Sequence, residues 1–237
     1  FYYMARVIDE GLSKRELEDV IYNDDFSKYG NALTNFSSQL STSQSLLAMN
    51  VLKDPYRLDF VTLERGYDEH DLESAIAKDI TRFLLELGSG FTYVGRQPEF
   101  VVGNEGYFPD LLFYHIRLRC YVVIELKVVD FKPEFAGKLN FYVTACNKLL
   151  RQPEDNPTIG LLLCKSKDQT KVEWAFDSIR NPMGVATYEG IKIKDKLPSV
   201  EDLKKRLDMV EQELREYKEN EEASNKEDTD DSNQKTE

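Results

Sequence analysis

The chain reads as an α/β (α+β) protein in which a mixed β-sheet is flanked by helices. Three observations lead there. A strongly amphipathic helix stands at residues 67–88, and four strand-like segments follow it with short connections. Beyond them, short apolar runs alternate with helical stretches, the pattern of β-α-β crossovers.

Taken in order, "SKRELEDVIYND" offers Ser13 as an N-cap with Glu16 three residues later, a capping box, and then an apolar stripe of Leu17, Val20 and Ile21. "NFSSQLSTSQS" is polar and Ser-rich and reads as a linker, and Pro55 interrupts any helix in "LKDPYRLDF". The helix at 67–88 has Asp68 as its cap and Asp71 in its first turn. Leu72, Ile76, Ile80, Phe83, Leu84 and Leu87 fall on one face, and Gly88 ends it. Strands are expected at 91–95, 99–103, 107–115 and 120–128, with a turn at 104–106. A helix opens at Pro133 and runs to about 150; "TIGLLLC" is a buried strand; a helix near 170–179 and a strand near 184–188 follow.

From Ser199 a charged helix begins. Val200, Leu203, Leu207, Val210, Leu214 and Tyr217 make a heptad-like seam, which reads either as packing on the body or as a homodimer contact. The expected organisation is thus residues 1–50 as the end of a helical domain plus linker, 51–198 as the main α/β domain, 199–220 as a charged helix and 221–237 as a disordered acidic tail.

Composition narrows the function classes. The net charge is −12, and residues 201–237 hold 14 acidic and 7 basic residues, a net of −7. A tight non-specific nucleic-acid binder is disfavoured, whereas a site built from carboxylates is not. No apolar run reaches the roughly 18 residues of a membrane span, so no membrane partner is expected. Cys120, Cys146 and Cys164 are widely spaced in apolar contexts and read as free thiols in a reducing cytoplasm. There is no phosphate-binding G-x-x-x-x-G-K-[ST] loop and no zinc-ligand spacing. The start lacks Met and signal-peptide character, which points to a piece of a longer chain.

The chemistry concentrates in "PDLLFYHIRLRCYVVIELK". Alternation puts Tyr121, Val123, Glu125 and Lys127 on one face of a central strand and Val122, Ile124 and Leu126 on the other. A hairpin turning at 116–119 brings Asp110 beside Glu125 at one end of the sheet. Asp110, Glu125 and the carbonyl of Leu126 can hold Mg²⁺, which prefers hard oxygen ligands, while Lys127 orients a water for attack on phosphorus. The competing explanation is an ordinary ion pair at a sheet edge.

The same stretch resembles the PD-(D/E)XK nuclease signature, with Pro109-Asp110 and Glu125-Leu126-Lys127. Together with "LKDPYRLDF", "DLESAI", "FLLELGSGFTYVGRQ", "FKPEFAGKLNFYV" and "NPTIGLLLCKSKD", it resembles the YhcG-like family within that superfamily over residues 50–190. The resemblance implies a restriction-endonuclease-like αβββαβ core and a Mg²⁺- (or Mn²⁺-) dependent nuclease acting on DNA. It implies that Glu73 joins Asp110, Glu125 and Lys127 in catalysis; the bland reading of Glu73 is a first-turn carboxylate favoured by the helix dipole. It makes Gln97 a substrate contact. Relatives carry Gln in the following helix where this chain has Lys138, which can bind a phosphate or mark altered activity; Tyr142 is retained, as a substrate contact or for packing. His115 is expected to be structural. Arg117, Arg119, Lys132, Lys148, Arg151, Lys165 and Lys167 are further candidates for phosphate contacts. The alternatives are a catalytically weak or inactive nucleic-acid-binding or scaffold protein, and a partner-recruiting subunit acting through its helical ends.

Overall fold

The computed structural model describes Val7, residues 11–22 and residues 32–194. The chain divides into two compact units, Phe1–Lys194 and Asp195–Glu237. The expected seam helix and acidic tail lie in the second unit, outside the described residues, and the homodimer reading of the seam lies there with them.

Helix α1 (Lys14–Tyr22) opens with the expected capping box: Ser13 N–H donates to Glu16 Oε2 at 2.8 Å, and Glu16 N–H to Ser13 Oγ at 3.4 Å. The Ser-rich segment read as a linker is instead helical, as α2 (Phe36–Gln39) and α3 (Thr42–Val51). Ser41 supplies the extended N-cap conformation, and burial of Phe36, Ser45 and Ala48 outweighs the weak helix preference of the serines. The short strand β1 (Leu33–Thr34) precedes them, and β2 (Tyr56–Arg57) and β3 (Thr62–Glu64) follow; none of these three was expected.

The helix at 67–88 is two helices, α4 (Glu69–Lys78) and α5 (Ile80–Leu87). Asp68 and Asp71 form a reciprocal capping box at the start of α4. Asp79 breaks the run at φ −126°, ψ 51°, and its carboxylate accepts from Arg82 N–H at 3.4 Å to cap α5, a role Asp fills better than a helix interior. The apolar face is nonetheless continuous across the break: Leu72, Ile76, Phe83 and Leu87 are buried.

Then come β4 (Phe91–Arg96), β5 (Phe100–Val102), β6 (Glu105–Tyr107), β7 (Leu111–His115) and β8 (Cys120–Leu126). The strand expected at 107–115 is broken, because Pro109 has no N–H for a ladder; β6 pairs with β5 in a separate hairpin instead. Helix α6 (Pro133–Leu149), β9 (Ile159–Cys164), α7 (Gln169–Phe176), β10 (Met183–Glu189) and β11 (Lys192–Lys194) complete the unit.

The main sheet runs β1-β10-β9-β8-β7-β4, with β2 on β10. Strands β4, β7 and β8 are antiparallel neighbours, and β8, β9 and β10 are parallel. This is the mixed sheet and the αβββαβ order expected. One face buries Leu111, Phe113, Val122, Ile124 and Leu126 with Leu72, Ile76 and Phe83 of α4 and α5. The other buries Leu112, Val123 and Leu162 with Leu139 and Val143 of α6 and Val172 of α7. Each fully buried Leu, Val or Phe contributes about 1.5–3 kcal/mol, so β8, buried on both faces except at Tyr121, is a firmly anchored strand to carry a site. Helix α6 sits so close to β9 that a Cβ on Gly160 would lie 2.8 Å from a methyl of Val143.

Candidate active site

In the β7–β8 register Leu111 faces Ile124, so the next pair outward is Asp110 and Glu125. The carboxylates come together as the hairpin spacing predicts. Asp110 Oδ2 accepts from Leu126 N–H at 2.7 Å. Glu125 is fully buried; its Oε1 accepts from Lys127 Nζ at 3.1 Å and from Lys138 Nζ at 2.5 Å, while its Oε2 is buried with no hydrogen-bond partner. Lys127 Nζ also donates to the carbonyl of Leu126 at 2.8 Å and lies 5.5 Å from the ring centre of Phe135.

The backbone around Lys127 is held on both sides. Its N–H donates to Leu163 carbonyl at 2.8 Å, extending the β8–β9 pairing, and its own carbonyl accepts from Tyr188 hydroxyl at 3.1 Å. The ammonium position is therefore set by strands rather than by a loop.

Burial, together with the neighbouring charge of Glu125, pushes the Asp110 carboxyl up to about 7, against the pull of the Leu126 N–H and of Lys127. Two carboxylates brought together out of water cannot both ionise freely, the arrangement in which a cation is most strongly favoured.

Glu73, on α4, is only 2% exposed. It is not the solvated first-turn carboxylate of the bland reading. It accepts from Arg96 Nε through Oε1 and from Gln97 Nε2 at 2.7 Å through Oε2. Arg96 also donates to Ser74 Oγ at 2.8 Å. Gln97 has φ +44°, an uncommon left-handed conformation that ends β4. Consecutive strand residues point to opposite faces, and this turn lets Arg96 and Gln97 reach the same carboxylate. Gln97 N–H further donates to Asp110 carbonyl at 3.0 Å, tying the end of β4 to the site.

Lys138 and Tyr142 lie one turn apart on α6, with the ammonium 5.3 Å from the ring centre. Burial alone would lower the Lys138 value, but its hydrogen bond to Glu125 and the charges of Glu125, Tyr142 and Asp110 outweigh that and raise it. Tyr142 is raised by burial, against Lys138.

The remaining candidates scatter. His115 is buried at the opposite end of β7, where Nδ1 accepts from Leu118 N–H at 3.0 Å; it is structural, as expected. Lys167 forms an ion pair with the buried Asp54, Lys165 lies over Tyr67, and Lys132 lies beside Glu134 and Phe135. Arg151 donates to Asp155 carbonyl beside the Asn156–Leu118 contact, far from Asp110 along the strands. Sequence reasoning missed Arg96, although it adjoins Gln97 in "VGRQ", because alternation would send the two apart. It also missed that Lys138 reaches Glu125.

Among the described residues, no three His, Cys, Asp or Glu side chains are gathered as a metal site. The donors available are two carboxylates and a carbonyl. Also among the described residues, no helix is long and apolar enough to cross a membrane.

A sheet whose central strand ends in Glu-x-Lys, beside an Asp from the neighbouring antiparallel strand, is the arrangement of a PD-(D/E)XK nuclease domain. A family model described as YhcG PDDEXK nuclease domain matches residues 49–208, and the chain belongs to that family. It is 35% identical over 144 residues to the Escherichia coli (strain K12) protein named "Putative nuclease YhcG". The match covers 61% of this chain and 38% of that one, so this chain spans under two fifths of its relative's length. A repair endonuclease from Pyrococcus abyssi superposes over 54% of this chain and 49% of its own, at 15% identity and a TM-score of 0.34, too loosely to carry an argument.

Proposed function

We propose that this chain is a divalent-metal-dependent nuclease that hydrolyses phosphodiester bonds of DNA. The observation that carries the reading is the Asp110–Glu125 pair at the end of β8, with the Lys127 ammonium fixed against it. The site residues fit a hard cation. Every donor is oxygen, and Glu125 Oε2 is a buried acceptor with no partner of its own. Asp110, Glu125 and the Leu126 carbonyl would hold Mg²⁺ (or Mn²⁺). When bound, such an ion lowers the pKa of a water and offsets charge developing on the phosphate.

The protein's own residues divide the remaining work. Asp110 releases its proton before it can act as a ligand. Lys127, pinned by the Leu126 carbonyl and bonded to Glu125, holds the attacking water. Glu73, held by Arg96 and Gln97, adds negative charge on the α4 side, and Coulomb repulsion from it reaches Asp110. Lys138 and Tyr142 lie on the α6 side, as phosphate contacts, and Gln97 lies at the edge where substrate approaches.

A second reading, a nucleic-acid-binding or scaffold protein without cleavage, has one observation in its favour: two ammonium groups already share Glu125 Oε1. Labelled linear, nicked, single-stranded and branched DNAs and one RNA, incubated with Mg²⁺, Mn²⁺ or EDTA, separate the two. Metal-dependent cutting that is lost in Asp110→Ala and Lys127→Ala supports the nuclease. Binding without cutting in either metal, or equal cutting by both variants, supports the scaffold.

A further inference from the structure

The two ammonium groups on Glu125 are not equivalent. Lys127 is 11% exposed and carries a second hydrogen bond to the Leu126 carbonyl, so it is fixed. Lys138 is 49% exposed, rises from a helix on a flexible stem, and has Glu125 Oε1 at 2.5 Å as its charge partner. Together the two lysines balance the charges of Asp110 and Glu125. Adding a divalent cation to that set leaves two uncompensated positive charges in a poorly hydrated place, unless one ammonium departs. Only Lys138 has the freedom to do so.

We infer that Lys138 is an internal counter-ion that holds the metal position while the site is empty and is expelled as a divalent cation enters. This rests on the metal-dependent reading above. The expelled ammonium swings on its stem toward solvent, where an incoming phosphate is its natural partner. A phosphodiester backbone that draws Lys138 off Glu125 then tightens cation binding, and the cation, by the same linkage, tightens binding of the backbone. Lys138 is thus a positioning and gating residue, coupling metal entry to substrate arrival, rather than a static phosphate contact.

The test is direct titration with Mn²⁺, read by electron paramagnetic resonance at pH 8.5 without nucleic acid, on wild type, K138Q, K138R and D110N. K138Q should bind Mn²⁺ about tenfold more tightly than wild type, since a unit charge adjoining the cation has been removed. K138R, which keeps the charge, should return to the wild-type affinity, and D110N should bind much more weakly. Equal or weaker binding by K138Q, or K138R binding as tightly as K138Q, overturns the inference alone. Wild type that binds no Mn²⁺, or binds it no better than D110N, overturns the metal site and the inference together. A metal-free measurement tests the counter-ion directly. K138Q without metal should melt below wild type, because buried Glu125 has lost a partner; an equal or higher melting temperature removes the counter-ion role.

Discussion

The two ends of the β7–β8 hairpin are built from the same strands and do opposite things. At one end half-buried Asp110 meets fully buried Glu125, their charges opposing, with one carboxylate oxygen left without a partner. At the other, His115 faces Cys120 across the ladder, stacks edge-on against Phe91 at 4.8 Å, and uses Nδ1 to hold the turn at Leu118. Both ends bury polar groups. Each end leaves one buried polar atom unpaired, Nε2 of His115 and Oε2 of Glu125; the His115 end completes a turn, whereas the Asp110 end gathers opposed carboxylates around two ammonium groups.

Substitutions at the charged end should separate activity from stability most widely. Lys127→Ala or Asp110→Ala should lower cleavage by about a thousandfold, the usual scale for a lost electrostatic contributor. Asp110→Ala should at the same time leave the melting temperature unchanged or raise it, because relief of the repelled, half-buried carboxylate offsets the lost Leu126 N–H hydrogen bond. A variant that loses stability and activity in parallel would make the two ends alike and break the comparison.

At the structural end the signs reverse. His115→Ala should lose about 2–4 kcal/mol in urea unfolding, from the emptied volume and the orphaned Leu118 N–H, with cleavage per folded molecule unchanged. Gly90 is at φ +96°, and a Cβ there would meet His115 Nε2 at 2.8 Å. Gly90→Ala should therefore lose about 1–3 kcal/mol, by backbone strain as well as by displacing the ring.

The smallest and sharpest test is the pH dependence of stability. An ordinary Asp near 3.8 is pushed to about 7 at position 110, so between those values the folded protein holds a proton that the unfolded chain has released. That contribution is fully present below about 4 and is lost as pH rises through 7. Burial, and then the charge of Arg117, hold His115 down to about 4 from 6.5. Its contribution is present above about 6.5 and is lost as pH falls through 4. The two slopes oppose one another over one window. Asp110→Asn should leave a stability curve that rises with pH between 4 and 7, and His115→Asn one that falls. Parallel curves in the two variants would remove the contrast.

Much of this was legible in advance, and the exceptions have physical causes. The run at 120–128, apolar on both faces in its first part, identified the central strand, because burial on both sides removes the polar positions of a half-exposed strand. The same spacing placed Asp110 opposite Glu125, since a hairpin's register follows from its turn. Serines at 37–45 misled, because Ser41 takes the extended N-cap conformation and tertiary burial sets the helices around it. Asp79 lies inside the single helix expected at 67–88 and is a break between two helices. Two- and three-residue strands such as β1 and β11 carry too little pattern to be read, their pairing being fixed by distant partners. Within the site, the burial of Glu73 depended on Arg96, which no strand periodicity points there. The reach of Lys138 to Glu125 depended on how closely α6 approaches the sheet.

That approach has a consequence of its own. With no side chain at Gly160 to stand between them, α6 and β9 behave as a bearing with no spacer. The height of the helix above the sheet, and with it the root of Lys138, is set by a residue that touches neither carboxylate. Inserting a single methyl at that point would lift the helix and shorten the reach of its ammonium, making position 160 a remote adjusting screw for the charge balance of a site it never meets.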